Sequence, residues 1–381
     1  MARRSTLMSI AVAGAIALNV LPAQAQTVIR IGHVAATTGS AAHWGKDVEL
    51  GAKLAVEDLN LKGLKLGGQA VRLELMTEDD AADPKQATSV ATRLVDAKVA
   101  GVVGHLTSGT TIPASRIYHD AGIPQITPSA TNPKYTQQGF NSAYRMVAHD
   151  GQLGAALGRY AVADLKAKSI AIIDDRTAYG QGVADEFQKA VKAAGGKVVG
   201  REFTNDKATD FNAILTKIKA LKPDLIMYGG MDAVAGPMLR QMKQLGVSAR
   251  FMGGDGICTS ELVKLAGDAM VDGQVVCAEA GGVAKDREAG MNAWRARFRD
   301  KTGQDVVVYA PYAYDAVMVM AAAMQKADSA DPKKYLPELQ KTQYNGVTGK
   351  IAFDQRGDLK EGALTLFTYK AGKKDPIKVM K

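Results

Sequence analysis

The sequence predicts an α/β protein built from two doubly wound parallel-sheet domains, and three observations carry that expectation. Short β-branched or apolar runs recur roughly every 25–45 residues, amphipathic helical patterns separate them, and the series occurs twice. At about 100–200 residues per domain, 381 residues suit two domains, each with its own core. A composition of 46% hydrophobic, 23% charged and 6% aromatic residues excludes disorder, collagen and coiled coil. The net charge of +9 is dispersed, with Lys189, Lys192, Lys197 and Lys207 interspersed with acids. It reads as a basic surface with no nucleic-acid partner.

Residues 1–25 have the three parts of a secretory signal peptide. Arg3 and Arg4 supply the positive start, about 14 apolar residues follow from Leu7 to Val20, and Ala23-Gln24-Ala25 presents the small-x-small cleavage pattern. The apolar stretch is shorter than the roughly 20 residues of a membrane span. Cleavage and export to a bacterial periplasm are therefore expected. In that oxidising compartment Cys258 and Cys277, 19 apart, can pair, and no histidine lies near either to suggest a metal.

The first series of strands is expected at residues 28–34, 71–77, 99–103 and 124–126. The helix at about 45–61 carries Val48, Ala52, Ala55, Val56 and Leu59 at helical spacing, and Asp83-Pro84 opens the next as N-cap and first-turn proline. The second series falls at 169–173, 197–203, 224–228, 250–252 and 274–278, with helices at about 181–194, 210–221 and 233–245. In the tail, 289–303 and 311–326 read as helices, and 349–353 and 363–369 as strands. The tail returns to complete the domains through crossover hinge segments. The expected division is 26–147 with 280–352 as an N-terminal lobe, and 148–279 with 353–381 as a C-terminal lobe.

Ligands of open parallel sheets bind beyond the carboxyl ends of the strands. The loop after residue 103, Gly104-His105-Leu106-Thr107-Ser108-Gly109-Thr110-Thr111, offers hydroxyls and helix-start amides suited to a carboxylate. Thr127-Pro128-Ser129-Ala130-Thr131 adds more hydroxyls and carbonyls. In the second series Asp174-Asp175-Arg176-Thr177-Ala178-Tyr179-Gly180 brings an aromatic to a helix start, and Gly253-Gly254-Asp255-Gly256 a lone acid. Each loop alone could be a helix cap or a turn. Together they supply what an α-carboxylate and an α-ammonium require. No nucleotide-binding glycine motif or hydrolase nucleophile elbow is present, and His33, His43, His105, His119 and His149 lack zinc-site spacing. Neither an enzyme nor a cofactor is expected.

The stretches Asp79–Ala87, Gly104–Ser115 and Ile126–Thr131 closely resemble the periplasmic leucine/isoleucine/valine-binding proteins. So do Tyr179-Gly180-Gln181-Gly182, Tyr228-Gly229-Gly230, Phe251-Met252-Gly253-Gly254-Asp255-Gly256, and Phe353-Asp354 with Gly357-Asp358, in order over nearly the whole chain after residue 25. The resemblance implies that Ser108 and Thr131, with backbone groups of Ser129, hold the ligand's carboxylate and ammonium, with Thr107 and Ala130 beside them. It implies that Tyr179 and Asp255 close over the ligand, Asp255 taking the ammonium, and that Trp44 lines the side-chain pocket. Asp255 stands where relatives often carry glutamate, and Met231 where they often carry tyrosine, leaving the far pocket apolar. The cysteine pair some relatives carry is replaced by Ala82 and Thr107, so a Cys258–Cys277 bridge would be a separate one.

The implied function is that of a substrate-binding component of an ABC importer. It would be a monomer that closes by a hinge on leucine, isoleucine or valine and docks on a membrane permease. Another small amino acid, an amide or an aromatic acid as ligand remains open, as does a sensory role. A cytoplasmic amide regulator of this fold conflicts with the signal peptide.

Overall fold

The computed structural model of the chain describes residues 26–282 and 285–380. The expected signal peptide therefore lies outside the described residues. The chain opens with β1 (Thr27–Ala35), α1 (Ala42–Lys62), β2 (Lys65–Leu66), β3 (Gln69–Asp79), α2 (Pro84–Asp96), β4 (Gly101–Gly104), α3 (Ser108–Asp120), β5 (Gln125–Thr127) and β6 (Ala143–Arg145). These strands make one sheet in the order β2-β3-β1-β4-β5-β6, parallel except for β2. Asp83 caps α2 as its sequence predicts, its carboxylate accepting the amides of Lys85 and Gln86.

The second unit runs through α4 (Asp150–Ala163), β7 (Ile170–Asp174), α5 (Ala178–Ala193), β8 (Val198–Phe203), α6 (Asn212–Leu221), β9 (Leu225–Gly229), α7 (Asp232–Gln244), β10 (Arg250–Gly253), α8 (Ser260–Ala266) and β11 (Val275–Glu279). The tail comprises α9 (Glu288–Thr302), α10 (Ala310–Lys326), α11 (Pro332–Gln340), β12 (Tyr344–Asn345), β13 (Lys350–Ile351), β14 (Leu364–Lys370) and β15 (Lys373–Met380). The second sheet has the order β15-β14-β11-β10-β9-β7-β8. Its β7 to β11 portion is parallel, whereas β14 and β15 add an antiparallel edge. Alternate side chains of β7 serve opposite faces: Ile170 and Ile172 join the core with α4 and α5, Ala171 and Ile173 the core with α6 and α7. Burial on both faces is what makes these strands continuous apolar runs.

Three differences from the sequence expectations have local causes. Helix α4 carries Gly151, Gly154 and Gly158, which lower its intrinsic helicity. A Cβ at Gly154 would meet the Phe187 amide nitrogen at 2.6 Å, and one at Gly158 the Ala190 Cβ at 2.6 Å, so these glycines let α4 lie close on α5. Strand β15 holds Lys373, Lys374, Asp375, Pro376 and Lys378, polar residues and a proline that only an edge strand accommodates. The strand expected at 349–353 shortens to β13, paired with β12 in a separate two-stranded ribbon rather than in either main sheet.

The chain crosses between the two units after β6, after β11 and before β14, and the crossings bind one another. Ala148 N–H donates to Ala280 O (3.0 Å) and Arg145 N–H to Gly357 O (2.9 Å). The fully buried Arg145 holds this region: Nε donates to Asp358 Oδ1 (2.8 Å), Nη1 to the Ala130 and Asn132 carbonyls (2.6 and 3.1 Å), and Nη2 to the Thr136 hydroxyl (2.9 Å). Cys258 and Cys277 are bonded to each other, with Cα atoms 5.3 Å apart, joining the segment after β10 to β11. Removing the guanidinium strands a largely buried carboxylate and two carbonyls. Arg145→Ala is therefore expected to cost about 3–5 kcal/mol, measured as a lower denaturant midpoint against the unsubstituted protein.

Candidate functional site

Both sheets have a point where the chain switches from building outward on one side to the other. In the first, β1 lies between β3 and β4; in the second, β7 lies between β8 and β9. Loops leaving the carboxyl ends of strands at such a point diverge and leave a crevice. The crevices of the two units face each other and enclose one cavity of about 340 Å³. That is a volume for a small molecule.

The first unit contributes Trp44 from the first turn of α1, Leu106–Gly109 at the start of α3, Ser129 and Ala130 after β5, and Ala82 with Pro84 at the start of α2. Thr107, the N-cap of α3, makes no side-chain cap to the helix. Its hydroxyl instead pairs with that of Thr110 (3.0 Å). The first α3 amides thus keep their positive potential for a ligand anion. Ser108 Oγ accepts the Asn132 amide (3.1 Å), and the Ser129 hydroxyl donates to Leu106 O (2.7 Å), so the two loops brace each other. Beneath them the buried His105 ring bridges Asp80 Oδ2 (2.7 Å) and the Tyr118 hydroxyl (3.0 Å).

The second unit contributes Asp175–Tyr179 at the start of α5, Met231 before α7, and Asp255 with Gly256 after β10. A Cβ at Gly180 would lie 2.4 Å from Gly229 O, and one at Gly229 would lie 2.2 Å from Gly180 O. Glycine at both positions lets the α5 start approach the end of β9 and swings Tyr179 into the cavity. The Tyr179 hydroxyl donates to Asp255 Oδ1 (2.9 Å) while accepting the Gly256 amide (2.8 Å).

Asp255 Oδ2 accepts from the hydroxyl of Tyr309. Tyr309 immediately precedes α10 and packs on Trp44, ring centroids 5.5 Å apart. Its position is fixed by Asp47, whose buried carboxylate accepts the amides of Val307 (2.9 Å), Val308 (3.1 Å), Tyr309 (2.6 Å) and Ala310 (2.9 Å). Burial pushes the Asp255 carboxyl up to about 6, while its bonds to Tyr309 and Tyr179 oppose the rise. No cation pairs with Asp255 among the described residues. The cavity thus holds a carboxylate from the second unit and the helix-start amides of α3 from the first, with Trp44, Met231, Leu106 and Val234 also in its lining. No cluster of His, Cys, Asp or Glu among the described residues could hold a metal ion.

Of the residues the sequence nominates, Trp44, Thr107, Ser108, Ser129, Ala130, Tyr179, Met231 and Asp255 all line this cavity. Thr131 does not. It is buried behind the loop, its carbonyl accepting the Asp150 amide (2.8 Å), because Asn132 is tied to Ser108 and to Ala178 O (2.6 Å). Beside it Asp150 is fully buried, and burial pushes its carboxyl up to about 8. Sequence reasoning missed Tyr309, whose only signal is an aromatic directly before the helix start at Ala310-Pro311. Asp175 and Arg176, in the Asp174–Gly180 loop that the sequence singled out for Tyr179, also line the cavity, as does Asp206, which sequence reasoning missed.

The family profile described as periplasmic binding protein matches residues 28–374. A leucine-, isoleucine-, valine-, threonine- and alanine-binding protein of Pseudomonas aeruginosa is 36% identical over 345 residues, 91% of each chain. A Leu/Ile/Val-binding protein homolog of Brucella abortus is 36% identical over 371 residues, 97% of each chain. Among solved structures, the branched-chain amino acid transporter substrate binding protein of Streptococcus pneumoniae, in complex with isoleucine, superposes with a TM-score of 0.84. It is 29% identical, and the match covers 93% of this chain and 99% of that one.

The raised Asp255 carboxyl has a consequence for stability. Because its pKa of about 6 lies above the ordinary aspartate value of 3.8, the folded state binds this proton more tightly than the unfolded chain. Its favourable contribution is present below pH about 4 and is lost as pH rises to about 6. Thermal melts of ligand-free protein are expected to show Asp255→Asn gaining on the unsubstituted chain across that window, by roughly 3 kcal/mol. Parallel pH profiles of the two proteins would contradict the assignment.

Proposed function

Because the chain belongs to the periplasmic binding protein family, we propose that it is the substrate-binding component of an ABC importer for branched-chain amino acids. The observation that carries this reading is Asp255, a buried carboxylate held by two tyrosine hydroxyls in a cavity whose opposite wall offers helix-start amides. An α-ammonium at Asp255 and an α-carboxylate at the start of α3 fit the two poles, and the apolar wall of Trp44, Leu106 and Met231 suits an aliphatic side chain. Each unit supplies part of the contacts, so ligand favours the closed arrangement by its differential affinity.

In this reading the crossings near residues 147, 280 and 352 act as the hinge between an N-terminal lobe (26–147 with 280–352) and a C-terminal lobe (148–279 with 353–381). Residues 1–25 direct export to the periplasm, and no described helix is long and apolar enough to cross a membrane. The closed protein would deliver its ligand to the importer's membrane permease.

The test is calorimetric titration of the protein lacking residues 1–25, unfolded and refolded to remove bound ligand, with leucine, isoleucine, valine and benzoate. The three aliphatic amino acids are expected to bind and benzoate to give no heat. Asp255→Asn is expected to weaken leucine roughly a hundredfold, since it uncouples a buried charge pair. Binding of benzoate alone, with no response to leucine, would overturn the amino-acid reading.

A further inference from the structure

His43 and Asp232 stand beside the cavity without lining it. His43 is on the first turn of α1, directly before Trp44, and Asp232 is the first residue of α7, directly after Met231. They belong to opposite units, and His43 Nε2 lies 2.9 Å from Asp232 Oδ2. The same carboxylate accepts the Thr259 hydroxyl (2.6 Å) and, at 3.4 Å, the Trp44 indole N–H. Asp232 is fully buried, whereas the His43 side chain keeps 26% of its surface exposed, so the pair sits at the rim where water enters once the units part. A carboxylate on the first residue of α7 is also favoured by the helix dipole.

We propose that His43 and Asp232 form a closing latch that sets how long ligand stays bound. The inference rests on the reading of the cavity as an amino-acid site. The His43–Asp232 contact bridges the two units through protein atoms alone, and its members directly adjoin in the chain two residues of the cavity wall, His43 preceding Trp44 and Asp232 following Met231. A contact made only in the closed arrangement raises the closed population and slows opening, and it leaves encounter with the open protein unchanged. Asp232 and His43 are therefore positioning residues.

The test pairs two readouts on the unsubstituted protein, His43→Ala and His43→Gln. Stopped-flow measurement with leucine is expected to show about tenfold faster dissociation for His43→Ala, with apparent association rising only as far as the open fraction of ligand-free protein rises. His43→Gln, which keeps a side-chain N–H donor, is expected to restore most of the residence time. Distances between spin labels on the two units of ligand-free protein are expected to shift toward open in His43→Ala and back in His43→Gln. Unchanged dissociation and distances in His43→Ala, or equal losses in both variants, would overturn the latch. If leucine fails to bind even the unsubstituted protein, the functional reading fails and the ligand-free distances alone decide the latch.

Discussion

A carboxylate buried with no cation paired to it among the described residues governs the arrangement of this cavity. Asp255 is fully enclosed, and ionising an isolated acid there is costly. Two tyrosine hydroxyls offset part of that cost, and they come from different parts of the fold, Tyr179 from the start of α5 and Tyr309 from the approach to α10. The remaining deficit is what a ligand ammonium would relieve.

The scaffold serves that placement through a few buried polar groups rather than through apolar packing alone. Asp47 draws four amides onto its carboxylate and so sets Tyr309 beside Trp44. Arg145 ties the end of β6 to the loop at 130–132 and to Asp358 on the third crossing. Gly180 and Gly229 give the backbone contact that aims Tyr179. Apolar burial holds each sheet between its helices, while these polar ties fix where the loops beyond the sheets stand.

Periodicity made the parallel strands and most covering helices legible in the sequence, because burial on both faces leaves uninterrupted apolar runs at residues such as 170–173 and 225–228. It failed where tertiary contact overrides local preference. Glycines obscure α4 because their use is close approach to α5, and lysines with Pro376 obscure β15 because an edge strand needs no alternation of core residues. At the cavity, residues on loops directly after strands were legible, Ser108, Ser129, Tyr179 and Asp255 among them. Tyr309 was not, since it reaches the site only through the return of α10 onto α1. Thr131 directly precedes Asn132, whose ties to Ser108 and Ala178 leave Thr131 behind the loop, and no sequence spacing reports that turn.

The most direct test of the central claim is proton exchange on leucine binding, measured calorimetrically at pH 6 in two buffers of different ionisation enthalpy. With Asp255 close to half-protonated in the ligand-free protein and ionised against an ammonium, about half a proton should be released per leucine bound. That release should vanish in Asp255→Asn. Leucine binding with no proton released, or with equal release from both proteins, would contradict the role of Asp255 as the ammonium partner.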